Sequence, residues 1–204
     1  MTRLGILLSG RGSNFLAIAD AIDRGKLQAE IAIVISNRAD APGIAAAQSR
    51  GLPTRTIEAR GRRRAEQDAE IIACLRECTA DLICLAGYMR LLSPEFIAAF
   101  PRAILNIHPS LLPAFPGLDA QLQALEYGVS ITGCTVHFVD EELDHGTIVL
   151  QRAVPVLPND DEAALSARIL AQEHLAYPEA ISRVLSGNYV FAGRRYVLRD
   201  EENR

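Results

Sequence analysis

The sequence has no apolar stretch near the ~20 residues that cross a bilayer, no Cys-x-x-Cys pair, no excess of basic charge and no complete nucleotide fingerprint. Each absence removes a class of function. Strand-like Leu4-Gly5-Ile6-Leu7-Leu8 follows the N-terminus directly, where a signal region and cleavage site would stand, so the chain is expected to be cytoplasmic and without a membrane partner. Cys74, Cys78, Cys84 and Cys134 lack metal or disulfide spacing, and three of them lie in apolar context. Buried thiols are expected, with no metal. A net charge of −4 and a pI near 5.6 argue against a nucleic-acid partner. The loop Ser9-Gly10-Arg11-Gly12-Ser13-Asn14 lacks the third glycine of a dinucleotide fingerprint and the Gly-Lys-Ser/Thr of a P-loop, which counts against a nicotinamide enzyme and an ATPase.

What is present is the balance of a globular protein. The 204 residues are 49% apolar and 23% charged, enough for one domain with a real core. Apolar runs of strand length at 4–8, 30–36, 54–57, 81–86 and 103–107 alternate with helical stretches at 14–24, 42–50, 63–78 and 94–99. Strands apolar on both faces and separated by helices predict an α/β fold, a mostly parallel sheet covered by helices on both faces. After a helix over 121–127 the pattern changes. Two long strands, 131–139 and 147–156, flank a short polar loop and predict an antiparallel hairpin, followed by a helix over 162–185 and a short hairpin around Gly193. The change near residue 115 is expected to be a seam within a single domain, 1–204, dividing it into halves 1–115 and 116–204.

Chemistry gathers where strands end. Asn106 and His108 stand at the carboxyl end of an apolar run that breaks into Pro109-Ser110-Leu111-Leu112-Pro113. Alternate strand residues share a face, so an amide and an imidazole would lie about 7 Å apart along the strand. Both can donate to one oxygen, as the oxyanion of carbonyl attack requires, if a third group fixes the imidazole. Asp144, in the hairpin loop, is the best candidate. Ligands of open α/β sheets bind beyond the carboxyl ends of strands. The Gly12-Ser13-Asn14 turn is therefore either an anion site at a helix start or a Gly-rich turn with Ser13 or Asn14 as the N-cap. Gly87 to Leu92 mixes apolar side chains with Arg90, suited to a flat heterocycle or to capping the core. Of the basic cluster Arg60, Arg62, Arg63 and Arg64, all but Arg64 reads as a solvated loop and helix start. His137 and His174 read as satisfied core or cleft histidines.

In order, Ser9 to Asn14, Leu85-Ala86-Gly87-Tyr88-Met89-Arg90-Leu91-Leu92, Asn106 to Pro113, Thr132 to Val139 and Gln172-Glu173-His174 resemble the phosphoribosylglycinamide formyltransferases of purine biosynthesis. The resemblance spans nearly the whole chain. It implies the Rossmann-like formyltransferase fold, with the first half holding nucleotide and phosphate and the second supplying the folate-site hairpin. It implies formyl transfer from 10-formyltetrahydrofolate, as cosubstrate, to the amine of glycinamide ribonucleotide, by a monomer or homodimer. Asn106, His108 and Asp144 fall on that family's catalytic positions. Gly12, Ser13 and Asn14 would hold the phosphate, and Leu170, Ala171, Gln172 and Glu173 the rest of that substrate. Arg64, Met89, Arg90, Leu91, Leu92 and Asn106, with Asp140, Glu141, Glu142, Leu143 and Asp144, would surround the folate.

The sequence departs from that pattern at Asp119 and Gln121, where such proteins often carry histidines, and at His145, where a small residue is usual. The groups that would stabilise the oxyanion are retained, so activity is expected nonetheless, with Asp119 assisting His108 if it faces the cleft. Formyltetrahydrofolate hydrolase and methionyl-tRNA formyltransferase share the Asn, His and Asp constellation but resemble longer chains. A folate- or nucleotide-binding protein that has lost catalysis is the alternative from a different class.

Overall fold

In the computed structural model, which describes residues 1–199, Leu4, Ile6, Leu7 and Leu8 of the first strand are wholly withdrawn from solvent. A strand buried on both sides needs cover on both faces, and the order of elements supplies it. β1 (Thr2–Leu8), β2 (Ala29–Ser36), β3 (Thr54–Thr56), β4 (Leu82–Leu85) and β5 (Ile104–His108) alternate with α1 (Ser13–Asp23), α2 (Pro42–Ser49), α3 (Arg64–Glu77) and α4 (Pro94–Ala99). The strands lie in the order β3-β2-β1-β4-β5, and all four pairings are parallel. The α/β reading of the sequence holds.

Local chemistry sets where the helices begin. Pro42 and Pro94 occupy the first turns of α2 and α4, where a missing N–H costs nothing. The Ser93 side chain accepts from the Phe96 N–H at 3.2 Å and so caps α4. β5 extends one residue beyond the expected limit, which makes His108 its last strand residue.

From Ile107 onward the chain forms a second compact unit, the first being Met1–Asn106. This division lies ahead of the pattern change near residue 115, and the last five residues of the expected domain, 200–204, lie outside those described. In the second unit, α5 (Ala120–Tyr127) precedes β6 (Ile131–Phe138) and β7 (Ile148–Pro155), which pair antiparallel from Ile131↔Pro155 to His137↔Ile148. The register shifts between Val136 and His137, a local irregularity that re-aims the side chains beyond it. α6 (Glu162–Leu185), capped by the Asp161 carboxylate on the Ala164 N–H at 2.7 Å, packs on β6 and β7. Leu165, Ile169, Tyr177 and Ile181 of α6 are completely buried. At about 1.5 to 3 kcal/mol for each large apolar side chain, that stripe is its main hold. β8 (Tyr189–Ala192) and β9 (Arg195–Leu198) form the terminal hairpin, in the order β6-β7-β9-β8. Among the described residues no helix is long and apolar enough to cross a membrane.

Gly133 tests the tightness of the β6–β7 pair. A Cβ there would lie 2.0 Å from the Arg152 carbonyl oxygen and 2.9 Å from the Leu111 side chain. Because backbone cannot swing aside as a side-chain tip can, Gly133→Ala is expected to cost about 2 to 4 kcal/mol. The readout is a lower urea midpoint at unchanged slope. A midpoint equal to that of the wild type would show that the strands part there without cost.

Candidate active site

The carboxylate of Asp144 is nearly closed to water, its side chain 8% exposed. A buried anion must be compensated by donors or cations. The Gly117 N–H donates to Oδ2 at 2.8 Å, His108 Nδ1 stands 3.4 Å from the same oxygen, and His137 Nε2 stands 3.8 Å from Oδ1. Asp144 has φ of 51°, in the left-handed region that costs a non-glycine residue about 1 kcal/mol or more. The strain is spent on aiming the carboxylate at a histidine far away in sequence.

His108 is itself buried, and its Nε2–H donates to the Phe115 carbonyl at 2.8 Å. With that nitrogen acting as a donor and Nδ1 facing a carboxylate, both ring nitrogens of His108 have a polar neighbour. The loop behind it is strapped down from inside. Thr135 Oγ1 donates to the Ser110 carbonyl at 2.7 Å and accepts from the Leu112 N–H at 3.0 Å. Gln151 Nε2 donates to the Leu112 carbonyl at 2.9 Å, and Ser110 Oγ to the Phe115 carbonyl at 3.2 Å. Thr135 and Gln151 were given no role from the sequence; they are cross-strand partners in the predicted hairpin, Thr135 buried and Gln151 exposed. The Gly117 N–H and Phe115 C=O carry no side-chain signal at all.

His137 is a buried, hydrogen-bonded histidine and also flanks Asp144. Its Nδ1–H donates to the Phe138 carbonyl at 2.8 Å. Burial pulls its pKa below the ordinary 6.5, opposed by that hydrogen bond and by the Asp144 charge. Burial likewise lowers the pKa of His174.

In the first unit, two of the expected loops meet at the mouths of β1 and β4. The Met89 N–H donates to Ser9 Oγ at 2.8 Å and the Ser9 N–H to the Gly87 carbonyl at 3.0 Å. Gly12, and neither Ser13 nor Asn14, is the N-cap of α1, with φ of 72° and no side-chain cap, which corrects that alternative of the sequence reading. A Cβ on Gly12 would lie 3.1 Å from the Gly43 Cα, a tight approach to backbone, at a φ that side chains rarely adopt. Arg90 does not project as a free cation. Its guanidinium donates to the Ala59 carbonyl at 3.2 Å and the Arg62 carbonyl at 3.3 Å, tying the segment that leads into Arg64, an exposed residue at the start of α3. Met89 and Leu91 are exposed while Leu92 is buried.

Asn106 lies on β5 two residues before His108 and is partly exposed. On α6, Glu173 is buried, Leu170 and Gln172 are half-buried, and Ala171 is exposed. Burial, and then the charge of Glu173, push the Cys134 thiol up to about 12, so it is inert. Asp140 is half-buried, and Glu141, Glu142 and Leu143 are exposed. Asp119 is also exposed, at the N-cap of α5 without a side-chain cap, and Gln121 is half-buried.

The family described as formyl transferase matches residues 2–181. The chain is 44% identical over 183 residues to phosphoribosylglycinamide formyltransferase of Escherichia coli (strain K12), covering 89% of this chain and 86% of that protein. It is 47% identical over 186 residues to the trifunctional purine biosynthetic protein adenosine-3 of Homo sapiens, but that match spans 91% of this chain and only 18% of the human protein. The crystal structure of glycinamide ribonucleotide transformylase 1 from Symbiobacterium toebii, 49% identical, superposes with a TM-score of 0.96 over 98% of this chain and 95% of that one.

The lowered pKa of His137 makes a stability prediction. As pH falls below 6.5 the unfolded chain takes up a proton on this residue that the folded chain resists. The unfolded state then binds more protons, so stability falls with pH until the folded pKa is passed. His137→Gln is expected to flatten the fall measured by urea unfolding from pH 6.5 to about one unit below it. His174 should leave a residual slope. An unchanged slope would show that His137 titrates alike in both states.

Proposed function

The chain belongs to the formyl transferase family and, within it, to the phosphoribosylglycinamide formyltransferases, and we propose that it moves the formyl group of 10-formyltetrahydrofolate to the amine of glycinamide ribonucleotide in purine biosynthesis. The observation that carries this reading is the buried His108–Asp144 pair, 3.4 Å apart, at the mouth of β5. The amine attacks the formyl carbon, the carbonyl oxygen becomes an oxyanion, and the tetrahydrofolate nitrogen leaves with a proton. The Asn106 amide and the His108 Nε2–H, turned from the Phe115 carbonyl, would donate to that oxyanion while Nδ1 stays with Asp144.

Gly12, Ser13 and Asn14 would hold the phosphate on the backbone amides opening α1, and Leu170 to Glu173 the ribose and glycinamide. Arg64, Met89, Arg90, Leu91, Leu92, Asn106 and the segment from Asp140 to Asp144 would receive the folate. Arg90 would do so through its backbone, because its guanidinium holds the Ala59 and Arg62 carbonyls. Its partners are then small molecules, and the setting proposed for it is the cytoplasm. The exposure of Asp119 bears against a direct role beside His108.

The purified chain is expected to form formylglycinamide ribonucleotide from the two substrates. Asn106→Ala and His108→Ala should each lower kcat by about 100- to 1,000-fold, the usual loss for one oxyanion donor, and Asp144→Asn, which removes the charge facing His108, should also lower it heavily, with nucleotide dissociation constants almost unchanged. Dissociation constants that weaken as much as kcat falls would reassign these residues to binding. A wild-type chain that binds both substrates and transfers nothing would make it a binding protein. In crystals soaked with inorganic phosphate, the anion is expected against the Gly12, Ser13 and Asn14 amides. Phosphate elsewhere, with that loop empty, would remove the phosphate assignment.

A further inference from the structure

The residue after Asp144 is held from outside the loop. Arg194, in the turn joining β8 to β9, donates from Nη2 to the His145 backbone carbonyl, and its Nη1 meets the His145 ring nitrogens. The ring is fixed on its other side by Asp140, whose Oδ2 lies 3.0 Å from His145 Nδ1. With Nδ1–H donated to that carboxylate, Nε2 presents a lone pair, which suits the guanidinium. Asp140 also accepts the Glu142 N–H at 3.1 Å. The loop has no slack after this point, because a Cβ on Gly146 would lie 1.8 Å from the Phe138 carbonyl oxygen.

The turn bearing Arg194 is itself anchored to both strands that flank the loop. Phe191 of β8 meets Phe138 at the end of β6, ring centroids 5.3 Å apart. Arg195 of β9 pairs with Ile148 at the start of β7. A guanidinium fork that takes a carbonyl and a ring at once constrains both the backbone and the side chain of His145. It therefore constrains the strained Asp144 one bond earlier.

We propose that Arg194 is a positioning residue for Asp144, the terminal hairpin clasping His145 so that the carboxylate stays turned toward His108. This rests on the proposed role of the His108–Asp144 pair in formyl transfer. The Glu142 carboxylate also stands 3.8 Å from the ring at Nε2. Among the described residues, the charged and titratable groups of the loop and against it are Asp140, Glu141, Glu142, Asp144, His108, His137, His145 and Arg194.

The test uses the full chain with Arg194→Met and Arg194→Lys. Arg194 is exposed, so neither change opens a core cavity. Arg194→Met should lower kcat about tenfold, less than the ~100-fold that a 1 Å misplacement can cost, with KM for the ribonucleotide nearly unchanged. It should also displace the titration of His108, followed by NMR of labelled imidazole, and the matching limb of the pH–rate profile. Arg194→Lys, which can still donate to the His145 carbonyl, should recover part of both. An Arg194→Met protein with wild-type kcat and an unmoved His108 titration would overturn the proposal. So would a loss of thermal stability with that titration unmoved. If the wild type transfers no formyl group, the proposed activity fails separately, and the His108 titration alone decides the clasp.

Discussion

A buried carboxylate is the constraint around which the second unit is organised. Asp144 is nearly closed to water, and an unpaired charge in such a place costs several kcal/mol. The Gly117 N–H, His108 and His137 converge on it from three stretches of chain. Each of them needs something behind it. Gly117 follows the turn that brings Phe115 back to His108, and His137 follows the register shift in β6. Asp144 itself holds a backbone conformation it would not choose alone.

The polar network under that turn has a second consequence. Ser110, Thr135 and Gln151 satisfy the backbone of the 110–115 segment with no polar atom to spare on Thr135. A loop fixed in this way from within does not need to be ordered by a ligand. The turn is rigid beside His108 and holds the His108 Nε2–H through the Phe115 carbonyl. The first unit uses a similar device at Ser9, whose hydroxyl accepts the Met89 N–H and so joins the helix-start loop to the loop after β4.

Much of this was legible in the residues. The spacing of apolar runs located the strands and helices to within a residue or two, because burial on both faces leaves an unbroken apolar signature. Pro42 and Pro94 marked helix starts through a missing N–H. Asn106 and His108 were conspicuous as polar residues at the end of a buried strand, and Asp144 as an acid in a hairpin loop. The reading was weaker where a residue's chemistry depends on where its side chain turns. Arg90 reads as part of a loop suited to a flat heterocycle or to capping the core, and only the fold shows its guanidinium donating to two carbonyls. His137 reads as a core or cleft histidine because its neighbours are apolar, and only the fold puts Asp144 beside it.

The division follows from the range of the forces. Sequence alone determined the periodicity and the order of strands and helices, since those depend on neighbours within a few residues. It also determined which residue types stood at strand ends. Only the tertiary structure decided that the Phe115 carbonyl takes the His108 Nε2–H, that the Gly117 amide holds Asp144, and that Arg194 reaches the His145 carbonyl. Those partners are mostly backbone groups, identical in every residue. Nothing distinguishes them until the chain closes and an unsatisfied buried charge selects the nearest donor.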